Sequence, residues 1–235
     1  ANEKTVARNA PHLNNMLQLS RQLTIDLNSA LNNGFDLKTK GCFMLYKTEE
    51  TGHHEAELAL EAKKYGMDAP IMSQQEIQKM EPDVQVDVLG GVYFPIDCHL
   101  HPLHMMASIT QWLTYAGVKI LYQHEVKDFE VQTGQVKAVI TDKGKITCDH
   151  TVIAVGSWLE ILTDKLGIHL LLQPGKGYSV TYNDLTKNLA HPSILVDARV
   201  AMTPLDTSLR VGGTMELSGI NSRINMKRVL PIVDA

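Results

Sequence analysis

Thr151-Val152-Ile153-Ala154-Val155-Gly156-Ser157-Trp158 is an apolar run closed by glycine, with Ser157 followed by Glu160 three residues on. Apolar side chains at both odd and even positions suit a strand covered on both faces, as inside a parallel sheet. The Ser157/Glu160 pair has the spacing of a capping box, so a helix is expected from Ser157 to near Gly167. Strand, glycine turn and helix in this order are the hallmark of an α/β layer. Working upstream, Val126–Gln132, Gln135–Thr141 and Ile146–Val155 are separated by Thr133-Gly134 and by Asp142-Lys143-Gly144, which predicts a β-meander. Downstream, residues 170–213 read mostly as strands punctuated by Pro174, Pro192 and Pro204.

Toward the N-terminus, Leu13, Met16, Leu17, Leu23, Leu27 and Leu31 fall at helical spacing, with Gly34 placed to cap the C-terminus. Gly41–Tyr46 predicts a buried strand, Glu55–Tyr65 a helix, and Ser73 with Glu76 a capped short helix ending by Pro82. Gly90–Pro95 reads as a strand. Pro102 opens a helix whose inner face is expected to hold Leu103, Met106, Ile109 and Leu113, and Val118–Tyr122 is expected to be the strand after it. The segment from Arg223 onward has too little pattern to assign. The sum is an α/β layer interleaved along the chain with a more antiparallel α+β layer.

The 235 residues carry 44% hydrophobic and 20% charged residues and a net charge of -4, the balance of an ordinary globular protein. That charge argues against a broad nucleic-acid-binding surface. Apolar runs such as Ile168–Leu172 are too short to span a bilayer, and no charged-then-apolar leader opens the chain, so a cytoplasmic location is expected. Cys42, Cys98 and Cys148 are odd in number and widely spaced, which predicts core thiols over disulfides or a zinc site. Starting at Ala1 without a methionine, the chain reads as processed or as a piece of something longer.

Several blocks together resemble the family of FAD-dependent D-amino-acid oxidases and dehydrogenases, which includes glycine and sarcosine oxidases. These are Gly41–Thr48, Tyr65-Gly66-Met67-Asp68, Ser73–Ile77 with Met80-Glu81-Pro82, and Gly91–Asp97. The most specific are Thr151–Trp158, Gln173-Pro174-Gly175-Lys176-Gly177-Tyr178 and Leu209–Glu216. The resemblance rests on their order over residues 10–220. It implies a partial FAD/NAD(P)-binding layer of the glutathione-reductase type with its meander, residues 1–40 and 97–165, interleaved with a mixed-sheet substrate-binding domain, residues 41–96 and 166–235. It also implies hydride transfer from an amine-bearing carbon to FAD, with imine hydrolysis following, on a small amine or D-amino acid. Oxygen or a quinone would accept the electrons, the latter with the protein peripheral to the inner membrane. None of the sixteen glycines forms the family's GxGxxG turn, and the Gly-x-Arg-Pro block is also absent, so the chain resembles the middle of such an enzyme.

The family implies no obligatory acid or base in the chain; orientation and exclusion of water are the protein's work. By resemblance, Gly156, Ser157 and Trp158 pass close to the flavin, at the strand end where α/β sheets place ligands, and Val126 meets the adenine. Without a ligand, the same residues are a turn, a helix cap and a core valine. Tyr178 is implied to face the flavin and bind or enclose substrate, with Met202 lining the pocket and Arg210 pairing with a carboxylate. The bland alternatives for Tyr178 and Arg210 are a half-buried strand tyrosine and a solvated arginine. A rival is Asp97-Cys98-His99-Leu100-His101-Pro102, whose HxH is similar to that of zinc-dependent amidohydrolases. The plainer expectation is turn and helix-cap chemistry, because His124, His150, His169 and His191 do not follow a β/α-barrel alternation. A third reading is a non-catalytic binding or assembly module, self-associating through exposed sheet edges.

Overall fold

The computed structural model describes residues 2–235. It separates into two compact units: Ala1–Ala116, Tyr178–Thr214 and Asn225–Ala235 form the first, Gly117–Gly177 and Met215–Ile224 the second. These are units of packing, whereas the division expected from the sequence concerns what each segment binds.

The first unit opens with helix α1 (Glu3–Ala30), capped by the Asn2 side chain accepting from the Thr5 amide. It runs through Pro11 and begins ten residues before Leu13, the first of the apolar positions at helical spacing. Its leucine face is only lightly covered: Leu13, Met16, Leu17 and Leu23 are each more than half exposed. Next come β1 (Cys42–Tyr46), α2 (Glu49–Lys64), β2 (Ile71–Ser73), α3 (Gln74–Met80) and β3 (Gly90–Phe94). The Ser73/Glu76 capping box forms as expected, in both directions. Helix α2 starts six residues ahead of the expected Glu55, because Thr48 caps it and Asp197, far along the chain, takes hydrogen bonds from Lys47 N, Thr48 Oγ1 and Thr51 Oγ1.

Helix α4 (Pro102–Tyr115) has Pro102 in its first turn, as the sequence predicts. Its inward face, however, runs through half-buried Met105, Ile109 and Leu113, while Leu103 and Met106 are 73% and 59% exposed. The helix is rotated by two anchors, His101 N to Phe35 O and Ser108 Oγ to Gly34 O, both 3.0 Å.

In the second unit, β4 (Val126–Gln132), β5 (Gln135–Thr141) and β6 (Gly144–Thr147) make the anticipated antiparallel meander. The Thr133-Gly134 turn has positive φ at both positions, 49° and 76°, the geometry that matches strand twist in a two-residue hairpin. One expected strand, Val118–Tyr122, is missing, and the expected last strand of the meander, Ile146–Val155, is cut short after Thr147. Residues 118–122 and 151–155 have no ladder partner among the described residues, and a strand without one leaves its amides to solvent. Val152 is accordingly 89% exposed. The helix expected from Ser157 is instead a 3-10 turn (Gly156–Trp158), a short α5 (Leu159–Thr163) and a second 3-10 turn, and Ser157 makes no cap hydrogen bond.

Strands β7 (Lys176–Tyr182), β8 (Ser193–Leu195), β9 (Val200–Leu205) and β10 (Ser208–Glu216) complete a seven-stranded sheet in the order β2-β3-β1-β8-β9-β10-β7. The β1–β8 pairing is parallel and joins two stretches about 150 residues apart; the β2–β3, β3–β1, β8–β9 and β9–β10 pairs are antiparallel. The last helix, α6 (Met226–Val233), escaped assignment from the sequence; its Ile232 is buried against Tyr178, Val200 and Val211. On the other side of β8, Phe43, Leu45, Ile77, Val86 and Val88 form the largest buried cluster, with half-buried Leu195 and Met202 touching both clusters.

The seam is held by a buried carboxylate. Glu81, 2% exposed, accepts hydrogen bonds from Ala190 N at 2.7 Å, His191 N at 2.9 Å and His191 Nδ1 at 2.7 Å. The His191 ring in turn meets Phe43 and Tyr93 edge-on. Replacing Glu81 with alanine would leave these donors unpaired in a dry site, at a cost of about 3 kcal/mol or more. Denaturant unfolding of Glu81→Ala should show that loss, with Glu81→Gln retaining part of it; a change below about 0.5 kcal/mol would mean the seam does not depend on this residue.

Candidate functional site

In the second unit, the segment after residue 155 comes back against two other stretches. Ser157 and Trp158 share a cleft of about 150 Å³ with Pro174, Gly175, Lys176, Gly219, Ile220 and Asn221. Gly156 opens the turn with φ of 55°, a left-handed conformation that a side chain would strain. At Gly175 the Met215 side chain packs close: a Cβ there would lie 2.7 Å from its Sδ, which would have to move aside.

One wall of the cleft is a polar network. Lys176 Nζ donates to Asn221 Oδ1 at 2.6 Å and to Arg223 O at 2.8 Å, and pairs with Glu216 at 3.4 Å. Asn221 Nδ2 donates back to Ser218 Oγ at 3.0 Å, and Ser218 Oγ donates to Glu216. The ammonium thus fixes the turn 216–223, while the Ser157 hydroxyl has no partner among the described residues and the Trp158 indole is 56% exposed. These groups suit the edge of a polar aromatic ring. They would hold only part of a flavin dinucleotide, because ligand pockets usually measure roughly 300–1,000 Å³.

The residues singled out from the sequence are brought together unequally. Ser157 and Trp158 line the cleft and Gly156 turns into it; Val126 sits half-buried on β4, paired with Thr141, and does not line it. Tyr178 and Met202 lie in the first unit on one face of the sheet: Met202 is directly opposite Val211, and Tyr178 is buried against the same valine. The Tyr178 hydroxyl accepts from Asn225 N, the cap of α6, at 3.3 Å. Arg210, one residue before Val211, is exposed on the opposite face and does not join them. Lys176 and Asn221 were missed as individual residues. The signal for Lys176 was its place between two glycines; for Asn221 it was the Ser218-Gly219-Ile220-Asn221 turn composition.

The zinc reading finds no support. No group of three or more potential ligands occurs among the described residues. His101 is the cap of α4, its Nδ1 accepting from His104 N at 3.5 Å, its ring stacked on His104 at 3.8 Å; His99 pairs by its backbone with Lys38. Burial pushes the His99 imidazole down from its ordinary value. All three cysteines are free and half-buried, and burial, with help from nearby Asp97, pushes the Cys42 thiol up to about 11.

A family model described as FAD dependent oxidoreductase matches residues 5–235. The chain belongs to that family. It is 27% identical over 228 residues to a D-amino acid dehydrogenase of Granulibacter bethesdensis, covering 94% of this chain and 54% of that protein. To a D-amino acid dehydrogenase of Vibrio vulnificus it is 36% identical over 166 residues, 67% of this chain and 39% of the relative. Among solved structures, glycine oxidase from Bacillus cereus superposes with a TM-score of 0.82 at 24% identity, over 92% of this chain and 61% of that one. L-proline dehydrogenase from P. horikoshii gives 0.75 at 18%, over 91% and 59%. At such identities the likeness is one of fold. The chain spans about half the length of the curated relatives it matches. Among the described residues, no helix is long and apolar enough to cross a membrane.

If Lys176 organises the cleft wall, Lys176→Met should loosen the turn 216–223. Hydrogen exchange across those residues should then accelerate by at least tenfold, as expected for loss of charge-assisted bonds of about 1.5–3 kcal/mol, while the β4–β6 meander is unaffected. Unchanged exchange would assign the ordering of the turn to its own backbone.

Proposed function

We propose that this chain is the central part of an FAD-dependent enzyme that oxidatively deaminates a small amine or D-amino acid, as the names of its curated relatives suggest. The observation that carries the reading is the convergence of separate sequence blocks. Ser157 and Trp158 from the first block and Pro174, Gly175 and Lys176 from the second line one cleft, and Glu216, the end of the third, pairs with Lys176 in its wall. When bound, the flavin supplies the oxidant that takes a hydride from the carbon bearing the amine.

The chain's residues hold and orient. Gly156 gives close backbone approach, the Ser157 hydroxyl donates to a ring-edge acceptor, and the Trp158 indole covers an apolar face. Lys176, fixed by Asn221 and Glu216, contributes a pre-set positive charge beside that edge. We further propose that residues 1–40 and 97–165 serve the cofactor and 41–96 and 166–235 the substrate, with Val126 near the adenine. Tyr178 and Met202, sharing one sheet face, are the substrate-side candidates; Arg210, on the other face, would serve a carboxylate only from there. Electrons would pass to oxygen or to a quinone. We place the enzyme in the cytoplasm, with attachment at the periphery of the inner membrane if the acceptor is a quinone.

The test uses the complete protein. Purified from cells, it should absorb in the flavin region, and adding D-alanine anaerobically should bleach that absorbance. A colourless protein that binds no added FAD would overturn the reading and favour a non-catalytic module. In the same protein, Tyr178→Phe should raise KM at least several-fold if the phenol meets substrate. Unchanged KM and kcat, with only a small loss of stability, would confine Tyr178 to its contact with Asn225.

A further inference from the structure

Helix α2 rests on the sheet of the first unit through three buried positions, Glu55, Ala59 and Ala62, spaced i, i+4 and i+7 and so on one face. The two alanines pack with Ala69 and Val92, against Met44 and Phe94. Glu55, one turn nearer the N-terminus, is 3% exposed, yet its carboxyl has no hydrogen-bond or ion-pair partner among the described residues. An ionised carboxylate in such a place has lost most of its water and gained no donor.

The sheet face under α2 presents Cys42, Met44 and Tyr46 from β1, Gly90, Val92 and Phe94 from β3, and Ile194 from β8, because these positions alternate with the opposite face and pair with one another. Tyr46 lies under the first turns, where a Cβ on Gly52 would come within 2.7 Å of its ring. Just past β8, Asp197 takes the hydroxyls of Thr48 and Thr51, which precede Glu55 by seven and four residues and share its side of the helix. The titratable groups around Glu55 are thus the Tyr46 phenol, Asp197 and, on α2 itself, His54. Cys42, at the start of β1, and Asp68, after the helix, belong to its other end. Burial raises the Glu55 carboxyl above its ordinary value; His54 pulls it back and Asp197 pushes it further up.

We propose that Glu55 makes α2 an acid-tightened latch on the sheet: protonated, its carboxyl lies there as a neutral group and the helix is fully seated, whereas ionised it draws the first turns of α2 toward water. Those turns carry the Thr48 and Thr51 hydroxyls that Asp197 holds at the end of the β1–β8 ladder, so the loosening reaches the seam. The sign follows from the raised carboxyl. The folded chain holds this proton more tightly than the unfolded chain, so the stabilisation is complete below the unfolded glutamate value of about 4.3 and is lost as the pH rises through the folded value. Asp197 runs the other way: slight burial raises its carboxyl, but the Lys47 amide and the two threonine hydroxyls outweigh that and lower it. Comparing Glu55 with glutamine at each pH isolates the latch from that opposing group. The latch does not rest on the flavin reading.

The test is hydrogen exchange over residues 51–59 of the 235-residue chain, wild type against Glu55→Gln, which keeps the shape and removes the charge. At about pH 8 the variant should exchange roughly tenfold more slowly there, and at about pH 4.5 the two rates should converge, because both side chains are then largely neutral. In the wild-type chain, the Glu55 carboxyl carbon followed by NMR should titrate above the ordinary glutamate value; this second reading stands even if the variant does not fold. A rate ratio that is the same at both pH values would make Glu55 a packing residue only. A titration midpoint at or below the ordinary value would show a carboxyl not held from water. Either result overturns the proposal.

Discussion

The sheet of the first unit depends on bringing residues 190–197 alongside residues 42–48, and a buried carboxylate does much of that. Glu81 takes two backbone amides and an imidazole from Ala190 and His191, after which β8 continues parallel to β1. At the far end of the same pairing, Asp197 takes the Lys47 amide and the hydroxyls of Thr48 and Thr51, so it braces the Thr48 cap of α2 just beyond the end of β8. Two acidic side chains therefore bracket a three-residue parallel ladder that would be too short to specify register unaided. Everything beyond β8 in the sheet order, including β9, β10 and β7 with Tyr178 and Met202, inherits its position from this seam.

The second unit obeys the same requirement in the negative. A backbone segment becomes a strand only when a neighbour meets its N–H and C=O groups. The meander supplies its own neighbours through two tight turns, and it forms. Residues 118–122 and 151–155 are as apolar as the core strands and stay irregular, with Val118, Leu121, Tyr122 and Val152 exposed. The glycine turn at Gly156 nonetheless reaches its cleft, because Gly175 and the Lys176–Asn221 network hold the opposite wall independently of any strand before it.

What the sequence revealed follows from this difference between local and distant causes. The Ser73 capping box, the Thr133-Gly134 turn and Pro102 at a helix start depend on neighbours within four residues, and each formed as expected. The early start of α2, the rotation of α4 and the Glu81 clamp depend on partners tens to more than a hundred residues away, where no spacing rule applies. Helix α6 is short and carries Pro231; its Asn225 cap and the packing of Ile232 against Val200 and Val211 hold it in place. For the candidate cleft, the resemblance pointed to Gly156, Ser157 and Trp158, and the last two line it. Lys176 and Asn221 were not legible in the sequence, since their role arises from a turn folding back across 45 residues.

Hydrogen–deuterium exchange across the whole chain tests this account most directly. The β1–β8 ladder, Phe43–Leu45 with Ser193–Leu195, should be among the most protected amides, while residues 118–122 and 151–155 exchange as freely as loops. Strong protection at 151–155, or an unprotected β8, would contradict it, because strands would then be forming without the partners and the seam described above.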